Sequence, residues 1–181
     1  METKFKIDLE DYLAYQLYYA STNARIKASR KITSRLVSIM FAFLGILGCF
    51  FSNIYIYISF FILAVLSGLF LPLYLGRIYK KSYSRHCEDV YKNNFGEESI
   101  LTIEDDLIQT KSKSGECTIN ISQLSEINET GQHYFLQLLS GGAIIVPKNK
   151  LNNLDEFEVT INEIAKKLNI EQKINLNWKW K

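Results

Sequence analysis

The sequence predicts a membrane α-helical hairpin of two transmembrane helices, followed by a cytoplasmic α+β domain whose antiparallel sheet is capped by a C-terminal helix. Three observations carry this expectation. No charged residue occurs from Leu36 to Gly76. Basic residues bracket that stretch on both sides, with no acid among them. Beyond Glu97 the hydrophobic pattern changes to period two, and then to the 3-4 spacing of a helix.

Averages hide this division. The mean hydropathy is −0.03 and the net charge +2. Yet no Asp or Glu lies between Tyr12 and Cys87, a stretch with nine Lys or Arg. From Glu88 onward ten basic residues face fifteen acidic ones, a net of −5. The positive charge flanks apolar runs instead of forming a stripe, so no nucleic-acid partner is expected. Cys49, Cys87 and Cys117 are scattered and form no CxxC pair, which argues against a disulfide framework or a zinc site. The apolar run begins too deep for a cleavable signal.

Taken in order, residues 1–33 form a cytoplasmic N-terminal part with a basic flank. Phe5, Ile7 and Leu9 alternate with Lys6 and Asp8, a strand signal. Asp8 to Ala20 reads as a helix with acids in its first turn. That helix either lies in the membrane interface or packs on the C-terminal domain.

Residues 34–76 form the hairpin. One span takes roughly 20 helical residues, so about forty uncharged residues fit two spans. The break falls at Ser52-Asn53, giving helices over Ser34–Phe51 and Ile54–Gly76. Pro72 sits inside the second, where lipid tolerates a kink if neighbouring groups satisfy the freed carbonyl. Gly45, Gly48 and Gly68 permit close helix approach, best read as packing within the hairpin. The cations Arg25, Lys27, Arg30, Lys31, Arg35, Arg77, Lys80, Lys81 and Arg85 set topology by the positive-inside rule and face anionic lipid. Both termini are therefore expected in the cytoplasm. Tyr55 and Tyr57 are expected near the outer interface, and Tyr74, Tyr79 and Tyr83 near the inner one.

Residues 77–96 are a basic juxtamembrane connector, and residues 97–181 the α+β domain. Strands are expected at Ser99–Glu104, Leu107–Ser112, Glu116–Ile121, Leu124–Asn128, His133–Leu139 and Ala143–Val146. Asp105-Asp106 and Ser140-Gly141-Gly142 are turns, and Pro147 ends the last hairpin. Leu154, Phe157, Ile161, Ile164 and Leu168 share one helical face. Asn153 and Glu156 form a capping pair at its start. The alternation Asn175-Leu176-Asn177-Trp178-Lys179-Trp180 favours one more edge strand over an interfacial anchor built from both Trp side chains.

Chemistry is sparse. His86 and His133 stand far apart, at no ligand spacing with any Cys or acid, and read as surface or strand histidines. Neither a P-loop nor GxSxG nor HExxH occurs. No ionisable group marks an ion or proton path through the apolar runs. No enzyme, cofactor or metal is expected.

Short blocks resemble the YcxB-like family of bacterial membrane proteins. They are Leu9-Glu10-Asp11-Tyr12-Leu13-Ala14-Tyr15 ahead of a basic stretch and an apolar pair, and Ile127-Asn128-Glu129-Thr130 through Tyr134-Phe135 to Ile144-Ile145-Val146-Pro147-Lys148. The closing helix Leu151 to Leu168 completes the set. The resemblance implies a pleckstrin-homology-like sheet domain, a bacterial plasma (inner) membrane location, and no catalytic residues. Two functions are expected. One is a non-catalytic adaptor or regulator, a two-pass protein whose cytoplasmic domain recruits a protein partner. The alternative is an immunity protein that neutralises a toxin from a competing bacterium. The lipid bilayer is a partner in both, and homo-oligomerisation stays open.

Overall fold

The computed structural model describes residues 1–48, 54–113 and 115–180. The expected turn at Ser52-Asn53 lies outside the described residues. The chain forms two compact units, Met1–Tyr15 with Arg85–Lys179, and Gln16–Ser84 with Trp180–Lys181.

The first unit contains two four-stranded sheets among its described residues. Strands β1 (Glu2–Lys6), β2 (Glu98–Glu104), β3 (Leu107–Ser112) and β4 (Gly115–Asn120) form one sheet in that order, antiparallel throughout. The second holds β5 (Leu124–Thr130), β6 (His133–Leu138), β7 (Ala143–Pro147) and β8 (Glu171–Asn175), in the order β7-β6-β5-β8. Alternation explains why these segments pair: β2 turns Leu101 and Ile103 inward and leaves Glu104 outside. Asp105 takes the left-handed φ of 44° at the tip between β2 and β3, a conformation that Asp tolerates.

Helix α4 (Leu154–Leu168) covers the core of this unit. Asn153 caps it: its Oδ1 accepts from the Glu156 amide at 3.4 Å, and its Nδ2 donates to Glu156 Oε2 at 2.8 Å. At the other end Asn169 adopts φ 50° and its N–H satisfies the Ala165 and Lys166 carbonyls. The predicted face is buried at Phe157, Ile161 and Ile164, against Phe5, Leu101, Ile127 and Leu136.

Two expectations change here. The sheet is split in two, and β8 runs parallel to β5. Its sequence Glu-Gln-Lys-Ile-Asn shows no alternation, because pairing and polar contacts hold it. Lys173 bonds Glu126, and Gln172 Nε2 donates to Asn162 Oδ1 at 2.8 Å. The edge strand expected over Asn175–Trp180 is not formed; the Trp178 amide turns back to the Asn175 carbonyl at 3.0 Å.

The N-terminal strand comes slightly earlier than expected, and helix α1 (Leu9–Thr22) follows it. Asp11 Oδ2 accepts from the Asp8 amide at 2.8 Å, so the side chain of the first turn closes that turn.

Helices α2 (Ala24–Gly48) and α3 (Ile54–Tyr91) are long and apolar enough to cross a membrane. Both exceed the predicted spans. Asn23 Oδ1 accepts from the Arg25 and Ile26 amides, starting α2 ten residues before Ser34. Neither Gly nor Pro follows Gly76 before Tyr91, so nothing stops α3 at the expected connector. Pro72 lies inside α3 as expected. The helices meet through small residues. Gly45 is buried, and a Cβ there would stand 3.2 Å from the Phe61 ring. Ser38 and Ser67 hydroxyls bond at 3.1 Å.

Phe157→Ala should lower the unfolding free energy of the first unit by about 4 kcal/mol, the cost of a large buried cavity. Val159→Ala, on the exposed face of the same helix, should stay within about 0.5 kcal/mol. Urea unfolding of the full chain in detergent, followed by circular dichroism, measures both.

Candidate functional site

The nine cations singled out by sequence do not act as one group. A spacing of three, four and seven residues puts Lys27, Arg30, Lys31 and Ser34 on one face of α2. With Arg35 they line a groove of about 380 Å³, closed on the other side by Gly68, Pro72 and Leu75 of α3. The segment forming this groove holds no carboxylate, so the charges of its own residues are all positive. Pro72 has no N–H to offer the Gly68 carbonyl, and Gly68 has no side chain to fill the space. Arg25, Arg77, Lys80 and Lys81 do not line it, and Arg85 falls in the other unit.

Trp180 joins the same unit. Its Nε1 donates to the Gly76 carbonyl at 2.9 Å, and the Arg30 guanidinium lies 4.2 Å from its ring centroid. Tyr79 flanks the same guanidinium at 5.4 Å. The last tryptophan therefore fastens the chain end to α3.

Within the first unit a second group of charges is buried. Asp11 is 5% exposed and His133 6%. His133 Nε2 and Asp11 Oδ1 lie 2.8 Å apart. Lys150 Nζ donates to Asp11 Oδ2 and to Asp8 Oδ2, each at 2.7 Å. Thr130 Oγ1 takes the His133 amide at 3.0 Å and holds the strand turn behind it. His133 stacks on Phe135, which also meets Tyr15. Tyr12 stacks on Tyr91 at 4.2 Å. Polar and aromatic contacts of Asp11 and Tyr15 thus hold the start of α1 against the second sheet.

Burial alone would push the Asp11 carboxyl up. The bonds from His133, the Asp8 amide and Lys150 outweigh it and hold Asp11 below its ordinary value. Burial likewise opposes the charge on Lys150, but Asp11 and Asp8 lift its ammonium above the ordinary range. A depressed carboxylate gives stability that is complete above 3.8 and fades as pH falls past it. A raised ammonium gives stability that is complete below 10.5 and fades above it. The ion pair of Asp11 with Lys150 is at full strength between those limits. On the same sheet, burial and the bond to Glu158 Oε1 at 2.9 Å push the Tyr134 phenol far above its usual value.

Sequence reading placed His133 in a strand, where it is, but missed its burial and its partner. Asp11 lies 122 residues away, and only the fold brings the two together. Asp105-Asp106 and Ser140-Gly141-Gly142 are turns, as expected, and Gly141 has a φ of 91°. Among the described residues no three His, Cys, Asp or Glu gather as metal ligands.

Asp11→Ala should cost about 3 kcal/mol, since it strands the buried His133 and leaves Lys150 only Asp8 as a partner. Asp11→Asn keeps an acceptor and should cost less, while flattening the loss of stability below pH 3.8. Urea midpoints measured across pH separate the two.

Comparison with curated proteins and with solved structures finds no match. Residues 103–159, from the end of β2 into α4, match the model of the family described as YcxB-like protein, the family that the sequence blocks resemble.

Proposed function

We propose that this chain is a two-pass protein of the bacterial plasma membrane that presents a small cytoplasmic domain to a protein partner, without catalysing a reaction. The observation that carries the reading is the apolar surface of α2 and α3. Leu36, Ile39, Phe43, Val65, Leu69, Phe70 and Leu73 are each more than half exposed. A water-soluble chain does not leave a continuous apolar girdle of this length open. At 1.5 Å per residue α2 is about 37 Å long and α3 about 57 Å, more than the roughly 30 Å of hydrocarbon.

Topology has two supports. Cations flank the apolar run at both ends, which favours a cytoplasmic side for both. Independently, β1 and β2 pair in one sheet although the hairpin lies between them. A chain that leaves a folded body and returns to it crosses a bilayer an even number of times. Both termini then share a compartment.

The domain is proposed to be pleckstrin-homology-like, a four-stranded sheet, three further antiparallel strands and a closing helix. In that reading the hairpin is an insertion between its first and second strands. Its acidic surface and the exposed edge strand β4 suit recruitment of a partner by strand addition.

Membrane-impermeant maleimide applied to intact cells tests the topology. Cysteine introduced as Asn53→Cys, with Cys49→Ser, should label from outside. The exposed Cys117 should label only after permeabilisation. Labelling of Cys117 in intact cells, or release of the chain by alkaline carbonate, would overturn the reading. Detergent affinity purification should recover a partner that is lost when residues 97–181 are removed.

A further inference from the structure

We infer that the groove between α2 and α3 is a discrete binding site for the headgroup of an anionic phospholipid, a deepening that rests on the membrane reading above. Topology alone needs cations near the ends of the spans; it does not need them gathered on one concave surface. Four of the nine gather here, while Arg25, Lys80 and Lys81 stay outside.

The groove matches a lipid in polarity as well as charge. On α2 its residues stop at Arg35, one position before the uncharged run begins at Leu36. On α3 they end at Leu75, two positions before Arg77. The same recess therefore has a cationic wall at the level of the flanks and an apolar one, Pro72 with Leu75, at the edge of the apolar run. A phosphate fits the first and the start of an acyl chain the second. Arg35 can hold phosphate oxygens with paired N–H donors, Lys27 and Lys31 add point charge, and Arg30, stacked on Trp180 and Tyr79, adds its charge to the wall. The volume, about 380 Å³, falls within the roughly 300–1,000 Å³ usual for small-molecule sites.

Two details favour a headgroup that carries hydroxyls. Ser34, 7% exposed, brings a hydroxyl to the wall. The Gly68 carbonyl lacks the N–H that Pro72 cannot supply, and so offers an acceptor. Phosphatidylglycerol satisfies both the cations and this acceptor. Soluble phosphate would leave the apolar wall bare.

The test uses the full chain in nanodiscs of phosphatidylcholine, with or without a minor fraction of phosphatidylglycerol, released into native mass spectrometry. Wild type should enter both discs and retain phosphatidylglycerol in preference to phosphatidylcholine. Lys31→Gln with Arg35→Gln should cut that retention at least about tenfold, as loss of two membrane-facing cations implies. Lys80→Gln with Lys81→Gln removes the same charge outside the groove and should lower retention several-fold less than the groove pair does. Gly68→Leu keeps every cation but fills the recess, and it too should cut retention; a Cβ at Gly68 meets only Ser38 Oγ, at 3.5 Å. Excess glycerol phosphate should not displace the lipid. Equal retention of the two lipids, equal loss in both double variants, or displacement by glycerol phosphate would overturn the site while leaving the membrane reading intact. Failure to enter phosphatidylcholine discs would instead overturn both.

Discussion

The pairing of β1 with β2 is the constraint on which the organisation of the chain depends. Glu2–Lys6 lies antiparallel to residues 98–102, with Phe5 opposite Ser99. The terminal ammonium of Met1 donates to the Ile103 carbonyl at 2.9 Å and fastens the far end of the strand. Five residues could not hold themselves in place. They do so because Phe5 enters the core beside Leu101, and because the Asp11, His133 and Lys150 group grips the chain immediately afterwards. The intervening segment is tolerated because loop-closure entropy grows only with the logarithm of length, about 0.6 kcal/mol per doubling.

The two units place their apolar side chains in opposite ways. In the sheet unit, apolar side chains are hidden between two sheets and a helix, and one buried side-chain hydroxyl, that of Thr3, lacks a partner among the described residues. In the helical unit the arrangement is inverted. Small residues meet inside, and Leu, Ile and Phe face outward. The Ser38–Ser67 bond and the Gly45 contact with Phe61 join the two helices where those small residues meet.

Much of this was legible from local pattern. The helix at Leu154–Leu168, its Asn153 cap, and the strands bounded by Asp105-Asp106 and Ser140-Gly141-Gly142 follow from spacing and turn chemistry alone. Helix ends near Ala24 and Tyr91 were less legible, because the uncharged run marks where lipid-like surface stops and says nothing about where a helix stops. The strand β8 escaped because cross-strand pairing with β5, not alternation, stabilises it. Of the candidate site, the cations were visible but their convergence was not, since it requires the register of α2 against Gly68 and Pro72. The buried Asp11 and His133 pair was invisible for the same reason: no local rule joins positions 122 residues apart.

The separation of β1 from its partner strand also orders events during synthesis. The first strand leaves the ribosome more than ninety residues ahead of the segment it pairs with. At about 5–20 residues per second this is roughly 5–20 s during which its unpaired edge is exposed and the hairpin is being made. Lys4 and Lys6 on so short a strand discourage premature pairing with other chains. The first sheet closes only after both long helices have emerged, so the N-terminal strand waits unpaired for as long as they take to be made.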